Sequence, residues 1–102
     1  IPYIVITENG SSYEDQLIDG QVNDYKRTDY LKSHLNSLQE AISEGIPVKG
    51  YFAWSLLDNF EWAEGYAKRF GIVYVDYETQ ERTLKLSALT YRDIISNNSV
   101  LY

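Results

Sequence analysis

The fold is decided by VKGYFAWSLL, residues 48–57, a largely apolar stretch that ends in a polar and aromatic loop. Strands that are buried on both faces have this composition, and such strands are typical of parallel sheets. A second run of this kind, IVI at residues 4–6, is followed by Asn9 and Gly10. The sequence therefore predicts two buried parallel strands, 4–6 and 48–57.

A helix is predicted between these strands, over residues 24–44. One apolar stripe runs along it, formed at spacings of four, three and four residues by Leu31, Leu35, Leu38 and Ile42. A polar residue at position 23 or 24 can cap this helix, and Gly45 ends it. His34 lies beside the stripe and is expected on the helix surface.

The rest of the chain repeats the same order of elements. Residues 9–24 and 58–70 are predicted loops, and residues 71–75 a short strand followed by a polar stretch, 76–83. The last helix covers residues 87–97, with Ser87 as its N-cap. Its inner side is formed by Ala88, Tyr91, Ile94 and Ile95.

Strand, loop, helix, strand, loop, helix is a βα repeat, which implies parallel strands joined by crossovers. A barrel of eight such units has about 250 residues, or about 31 for each unit. The 102 residues therefore hold two units with enlarged loops. A doubly wound sheet is the alternative. We favour an α/β fold that is part of a (β/α)8 TIM barrel, because the chemically interesting residues follow both strands on one common face.

Composition excludes several classes of function. The net charge of −6 argues against a nucleic-acid or anionic-membrane partner. The chain has no Cys and only one His, so disulfides and thiolate or histidine metal clusters are not expected. No apolar stretch reaches the length of a membrane span. The absence of Met and the beginning at Ile1 predict that the chain is a piece of a longer protein.

Glu8 is the first candidate for chemistry, because it comes where the first strand ends. A carboxylate in that place loses solvent, and in a βα barrel the position opens into the active-site mouth. Such a group can act as a nucleophile, a base or a metal ligand. Alternatively, Glu8 begins the loop and caps a local turn, and the spacing alone leaves both interpretations open.

The second strand is followed by aromatic residues mixed with carboxylates, a composition that suits a sugar. Trp54, Glu61 and Trp62 are the candidates: Trp faces stack on the C–H groups of a pyranose, and carboxylates accept strong hydrogen bonds from its hydroxyls. Alternatively, the loop covers a small aromatic core, with Glu61 paired to Arg69 or Lys68.

Four motifs carry a family resemblance: TENG at residues 7–10, GYFAWSLLDNFEW at 50–62, GY at 65–66 and RFGI at 69–72. With them, residues 2–97 resemble the C-terminal part of glycoside hydrolase family 1, the β-glucosidase-type enzymes, and FEWAEGY resembles the bacterial members. One departure is Leu84, where a Pro commonly follows the Arg-Thr pair. The whole chain, 1–102, is then the incomplete C-terminal part of one glycosidase barrel domain, holding about its last two βα units.

The resemblance implies a role for each candidate. Glu8 is expected to be the nucleophile of a retaining β-glycosidase, and Trp54 the platform under the sugar. Glu61 is expected to accept hydrogen bonds from O4 and O6, Trp62 to donate one to O3, and Phe70 to help close the pocket. The acid/base carboxyl of the family lies in an Asn-Glu-Pro motif that this chain lacks.

The expected substrate is a β-glucoside or a short β-linked oligosaccharide, with the remainder of the barrel as the partner and without a cofactor. A carboxylate at Glu61 would repel a phosphate on O6, so the sugar is expected to be unphosphorylated. Two alternatives stay open: a barrel of the same family that only binds glycans or a protein, and a structural βα fragment with no sugar role.

Overall fold

The computed structural model describes residues 2–60 and 68–100. Its elements, in chain order, are β1 (Ile4–Asn9), α1 (Tyr25–Ser43), β2 (Val48–Ala53), β3 (Val73–Val75), β4 (Arg82–Leu84) and α2 (Leu86–Asn97). β1 and β2 pair in parallel with α1 between them in the chain, as predicted, and β3 and β4 form an antiparallel pair. Within the described ranges, no helix is both long enough and apolar enough to cross a bilayer.

The two parallel strands are more exposed than the sequence predicts. Val5 of β1 is 38% exposed and Phe52 of β2 is 60% exposed. A parallel strand is buried on both faces only when it has neighbours at both edges and helices on its faces. Among the described residues, β1 and β2 pair only with each other, so their outer edges stay open. The prediction of full burial is therefore wrong for this part of the chain.

Helix α1 follows the predicted stripe at its N-terminal half. Leu31 and Leu35 are buried, whereas Ile42 in the last turn is 48% exposed. The helix ends before Gly45, whose φ of 94° lies in the left-handed region that favours glycine. His34 is exposed, as predicted; its ring stacks on that of Tyr30 with 3.8 Å between centroids.

The hairpin of β3 and β4 corrects the prediction of a plain polar stretch at 76–83. Asp76 begins its turn: one carboxylate oxygen accepts hydrogen bonds from the backbone N–H groups of Glu78 and Thr79, at 3.0 and 3.1 Å. The bonds from Thr79 and Glu78 lower the pKa of Asp76. Gln80 has a φ of 67°, and the chain then returns as β4. An aspartate that accepts bonds from the residues after it is a known turn signal.

Helix α2 begins one residue earlier than predicted, and Ser87 is not its N-cap. The N-cap position belongs to Lys85, and Ser87 lies in the first turn. The N–H and the hydroxyl of Ser87 both donate to the carboxylate of Asp24, at 2.9 and 2.6 Å. Asp24 precedes α1 but makes no side-chain cap bond to that helix. The predicted cap of α1 therefore serves the beginning of α2. Ile95, predicted to face inward, is 63% exposed.

We predict that Ser87→Ala lowers the free energy of unfolding by about 1–3 kcal/mol, because a buried carboxylate loses one charge-assisted hydrogen bond. Chemical denaturation of the full-length protein measures the change. Ser96→Ala, an exposed position of the same helix, is the matched control and should stay within about 0.5 kcal/mol of the wild type. Equal effects of the two substitutions would contradict the role of the Asp24–Ser87 contact.

Candidate active site

The C-terminal ends of β1 and β2 meet through Asn9 and Trp54. Asn9 lies opposite Ala53 in the register, and the backbone N–H of Trp54 donates to the carbonyl of Asn9 at 2.8 Å. Gly10 packs so closely here that a Cβ atom on it would overlap the carbonyl oxygen of Trp54. The residues that follow each strand are thereby held at one edge of the sheet.

Two of the candidate residues lie directly at this edge. Glu8 is the last residue but one of β1 and is exposed. Trp54 follows the last residue of β2, is 39% exposed, and is joined to Ser55 by a cis peptide bond. The structure therefore brings the ends of the strands that carry a carboxylate and a large aromatic ring into neighbouring positions.

Phe70 is brought to the same region by backbone hydrogen bonds. Its carbonyl accepts from the N–H of Ser55 at 3.1 Å, and the N–H of Ile72 donates to the carbonyl of Ser55 at 2.9 Å. Phe70 therefore lies beside the residue that follows Trp54. Glu61 and Trp62, the other two candidates, lie outside the described residues, and so does the alternative ion pair of Glu61 with Arg69 or Lys68.

The side chain of Asn9 joins this edge of the sheet to α1. Its amide oxygen accepts a hydrogen bond from the Tyr51 hydroxyl at 2.9 Å, and its amide nitrogen donates to the Tyr30 hydroxyl at 3.2 Å. Tyr51 belongs to β2 and Tyr30 to α1, so one amide links three elements. Burial, with smaller contributions from Tyr91 and Tyr30, raises the pKa of Tyr51 to about 12.

A buried group of charged side chains, which we name the charged cluster, supports the loops around the edge. It contains three carboxylates and three cations: Asp15, Asp24, Arg27, Asp58, Arg69 and Lys85. The side chains are at most 14% exposed. Sequence analysis missed it. No local pattern joins its members, since Lys85 and Asp15 are 70 residues apart.

Lys85 and Asp58 form the centre of the charged cluster. The Lys85 ammonium group donates to Asp15 at 2.6 Å, to Asp58 at 2.7 Å and to the carbonyl of Gly71 at 2.6 Å. All three of its N–H donors are therefore used. Asp58 accepts four hydrogen bonds in total, from Lys85, Arg69 and the backbone N–H groups of Gly71 and Val75.

Arg27 connects the charged cluster to the loop after β1. Its guanidinium donates to Asp15 at 3.0 Å, to Asp24 at 2.7 Å and to the carbonyl of Arg69 at 2.6 Å. Burial lowers the pKa of Arg27, but hydrogen bonds and charges from Asp15 and Asp24 outweigh burial and raise it. The guanidinium thus stays charged inside the fold.

The charged cluster is an ion-pair network rather than a metal site, because its carboxylates are already bound by cationic side chains. Within residues 2–60 and 68–100, no group of three or more His, Cys, Asp or Glu side chains is arranged to hold a metal ion. At the edge of the sheet, the structure offers an exposed carboxylate, Glu8, and the partly exposed ring of Trp54.

We predict that the free energy of unfolding falls between about pH 10 and pH 12 less steeply in Tyr51→Phe than in the wild type. The folded pKa of Tyr51 lies above the ordinary value of 10.0, so the fold favours the protonated phenol. Its contribution is complete below pH 10 and is lost as the pH rises through about 12. Denaturant titrations of the full-length protein over this interval measure both slopes; equal slopes would contradict the raised pKa of Tyr51.

Comparison with known proteins gives a consistent match. The model of glycosyl hydrolase family 1 matches residues 1–100. Beta-glucosidase A of Thermotoga maritima is 57% identical over 100 residues, which cover 97% of this chain and 22% of that protein. A 1,4-beta-D-glucan glucohydrolase of Thermotoga neapolitana is 55% identical over 98 residues, covering 95% of this chain and 22% of that protein. The chain thus spans about a fifth of the length of these relatives.

Solved structures agree with the sequence relatives. The family 1 β-glucosidase of Thermotoga maritima in complex with isofagomine lactam superposes with a TM-score of 0.95 at 55% identity. The match covers 98% of this chain and 23% of that one. The same enzyme in complex with deoxynojirimycin gives the same TM-score, identity and coverage. The described elements therefore correspond to part of a β-glucosidase barrel.

Proposed function

The chain belongs to glycosyl hydrolase family 1, and we propose that it supplies the C-terminal part of the single barrel domain of a retaining β-glucosidase. The enzyme removes terminal β-D-glucosyl residues from the non-reducing end of β-glucosides and short β-linked oligosaccharides. The observation that carries this proposal is the hydrogen bond between Trp54 and Asn9. It holds the ends of β1 and β2 together, and this supports a site in which Glu8 and Trp54 act on the same sugar.

Glu8 acts as the nucleophile. A retaining glycosidase needs two carboxyl groups about 5–5.5 Å apart. One oxygen of Glu8 attacks the anomeric carbon, while the second carboxyl group, outside this chain, protonates the departing glycosidic oxygen. Water then attacks the same carbon, gives its proton to that second group and releases Glu8. This chemistry needs no cofactor.

The other site residues hold the sugar. Trp54 is the platform on which one face of the pyranose stacks, and its exposed fraction of 39% leaves a surface for that contact. Glu61 accepts hydrogen bonds from O4 and O6, and Trp62 donates its indole N–H to O3. Phe70 closes the pocket beside Ser55. The roles of Glu61 and Trp62 are supported by the family resemblance alone, because both residues lie outside the described ranges.

The open sides of the sheet support the proposal that the remainder of a barrel packs against this chain. In the described part of the chain, β1 and β2 have no further sheet neighbour, and Val5 and Phe52 are exposed. Leu56, two residues after Trp54, is 66% exposed. Apolar side chains on strands with open edges are expected to be covered, because they otherwise promote association. The missing βα units would cover them and supply the acid/base carboxyl group.

We predict that Glu8 is labelled covalently when the full-length protein reacts with a 2-deoxy-2-fluoro-β-glucoside, because the fluorine slows hydrolysis of the glycosyl-enzyme. Peptide mapping by mass spectrometry locates the label. Glu8→Gln should lower kcat by several orders of magnitude, since no second group takes over the attack.

The matched control is Glu14→Gln, an exposed carboxylate in the loop after β1, which should keep its activity. A label on another carboxylate would contradict the assignment of Glu8. If the full-length protein bound β-glucosides without hydrolysing them, the alternative of a non-catalytic binding barrel would replace the proposed enzyme.

We predict that residues 1–102 expressed alone do not hydrolyse an activated β-glucoside. The piece lacks the general acid that protonates the leaving group, and its open sheet edges leave it partly ordered or self-associating. Initial rates of nitrophenol release, compared with those of the Glu8→Gln version, measure any turnover. Turnover that disappears in the Gln version would show that the piece is catalytically complete.

A further inference from the structure

Arg69 lies where the loop after β1 meets the loop after β2. We propose that Arg69 is a positioning residue, which holds Trp54 and Phe70 at the distance from Glu8 that sugar binding requires. This inference rests on the proposed function, since it concerns the same site, but it assigns a role to a residue that does not touch the sugar.

The guanidinium group of Arg69 is held by two hydrogen bonds and lies against two aromatic rings. One of its terminal nitrogens donates to Asp58 and to the carbonyl of Val75, both at 2.7 Å. The rings of Tyr74 and Tyr77 lie 4.1 and 4.4 Å from its central carbon. A planar guanidinium stacks on aromatic faces and makes several directed hydrogen bonds, whereas a lysine ammonium group does not stack in this way.

The backbone at Arg69 is bonded to two other segments of the chain. Its N–H and carbonyl exchange hydrogen bonds with Tyr13, both at 3.0 Å, and Tyr13 lies in the loop that follows Glu8. The next residue, Phe70, accepts a hydrogen bond from the N–H of Ser55, which follows Trp54. Displacement of the Arg69 side chain would therefore shift the loop after Glu8 relative to the segment after Trp54.

The charged cluster restrains the position of Arg69. Asp58, which holds the Arg69 guanidinium, is itself bound by Lys85 and by two backbone N–H groups. The carbonyl of Arg69 also accepts a bond from Arg27 at 2.6 Å. Both the side chain and the backbone of Arg69 are thus anchored to buried charges, and these anchors hold the segment at Arg69 and Phe70 in place.

The experiment compares Arg69→Lys with Arg82→Lys in the full-length protein. Arg82 is exposed on β4, and its guanidinium donates to the carbonyl of Gln80, so it is a matched control in the hairpin that the Arg69 side chain contacts. The dissociation constant of deoxynojirimycin is measured by calorimetry, with kcat, KM and the melting temperature for each variant. We expect Arg69→Lys to weaken deoxynojirimycin binding and raise KM at least tenfold, and Arg82→Lys to change each less than twofold.

These readouts separate positioning from stability. A residue that only stabilised the fold would lower the melting temperature and leave the dissociation constant of the folded protein unchanged, and that result would overturn the inference. Tyr74→Leu removes one stacking face and keeps both hydrogen bonds of Arg69, so it should weaken binding in the same direction but less. If Arg69→Lys does not fold, Tyr74→Leu decides, and wild-type affinity in that variant overturns the inference.

Failure of the proposed function would look different. If the wild-type protein neither hydrolysed β-glucosides nor bound deoxynojirimycin, the proposed function would fail and this inference with it. If the wild type did both and Arg69→Lys bound equally well, the inference alone would fail.

Discussion

A fully buried ammonium group must be paired with anionic or carbonyl oxygens, and the ammonium group of Lys85 is paired in this way. Its side chain is 0% exposed and is bound by Asp15, Asp58 and the carbonyl of Gly71. Removing one partner of a buried ion pair commonly costs about 3–5 kcal/mol, because the remaining charge is left without compensation. The loop after β1, the loop after β2 and the beginning of α2 each supply one side of this arrangement. If Asp15, Asp58 or Lys85 left its place, a buried charge would lose its partner.

The same arrangement explains how irregular loops hold a site in place. Catalytic and binding residues are often carried by loops that a rigid scaffold positions. Here the scaffold is partly ionic: Asp58 and Arg69 fix the segment that carries Phe70, and Arg27 ties it to the loop after Glu8. The strands contribute the other half, through the Asn9–Trp54 hydrogen bond and the close approach of Gly10.

Sequence reasoning predicted the elements that show as apolar patterns, and it missed the contacts between residues that are far apart in the chain. The stripe through Leu31 and Leu35 predicted α1 nearly to its ends, and the two apolar runs predicted the parallel pair. The charged cluster was missed because an isolated Asp or Lys in a loop resembles any solvated residue until the fold brings it to its partner. The burial of β1 and β2 was overpredicted, because the apolar composition of a strand reflects the burial that the strand has in the complete sheet. The roles of Glu8, Trp54, Glu61, Trp62 and Phe70 stay predictions that come from family motifs.

The bond from Ser87 to Asp24 couples the two βα units of the chain. An aspartate that could begin its own helix instead receives the first turn of a helix 63 positions later. A contact of such sequence separation closes a long loop, and that closure costs entropy before the contact rewards it. The start of α2 therefore depends on an acceptor that the preceding βα unit supplies. Folding of the two units is coupled, and a cut between them would deprive the second unit of a partner that its own sequence does not contain.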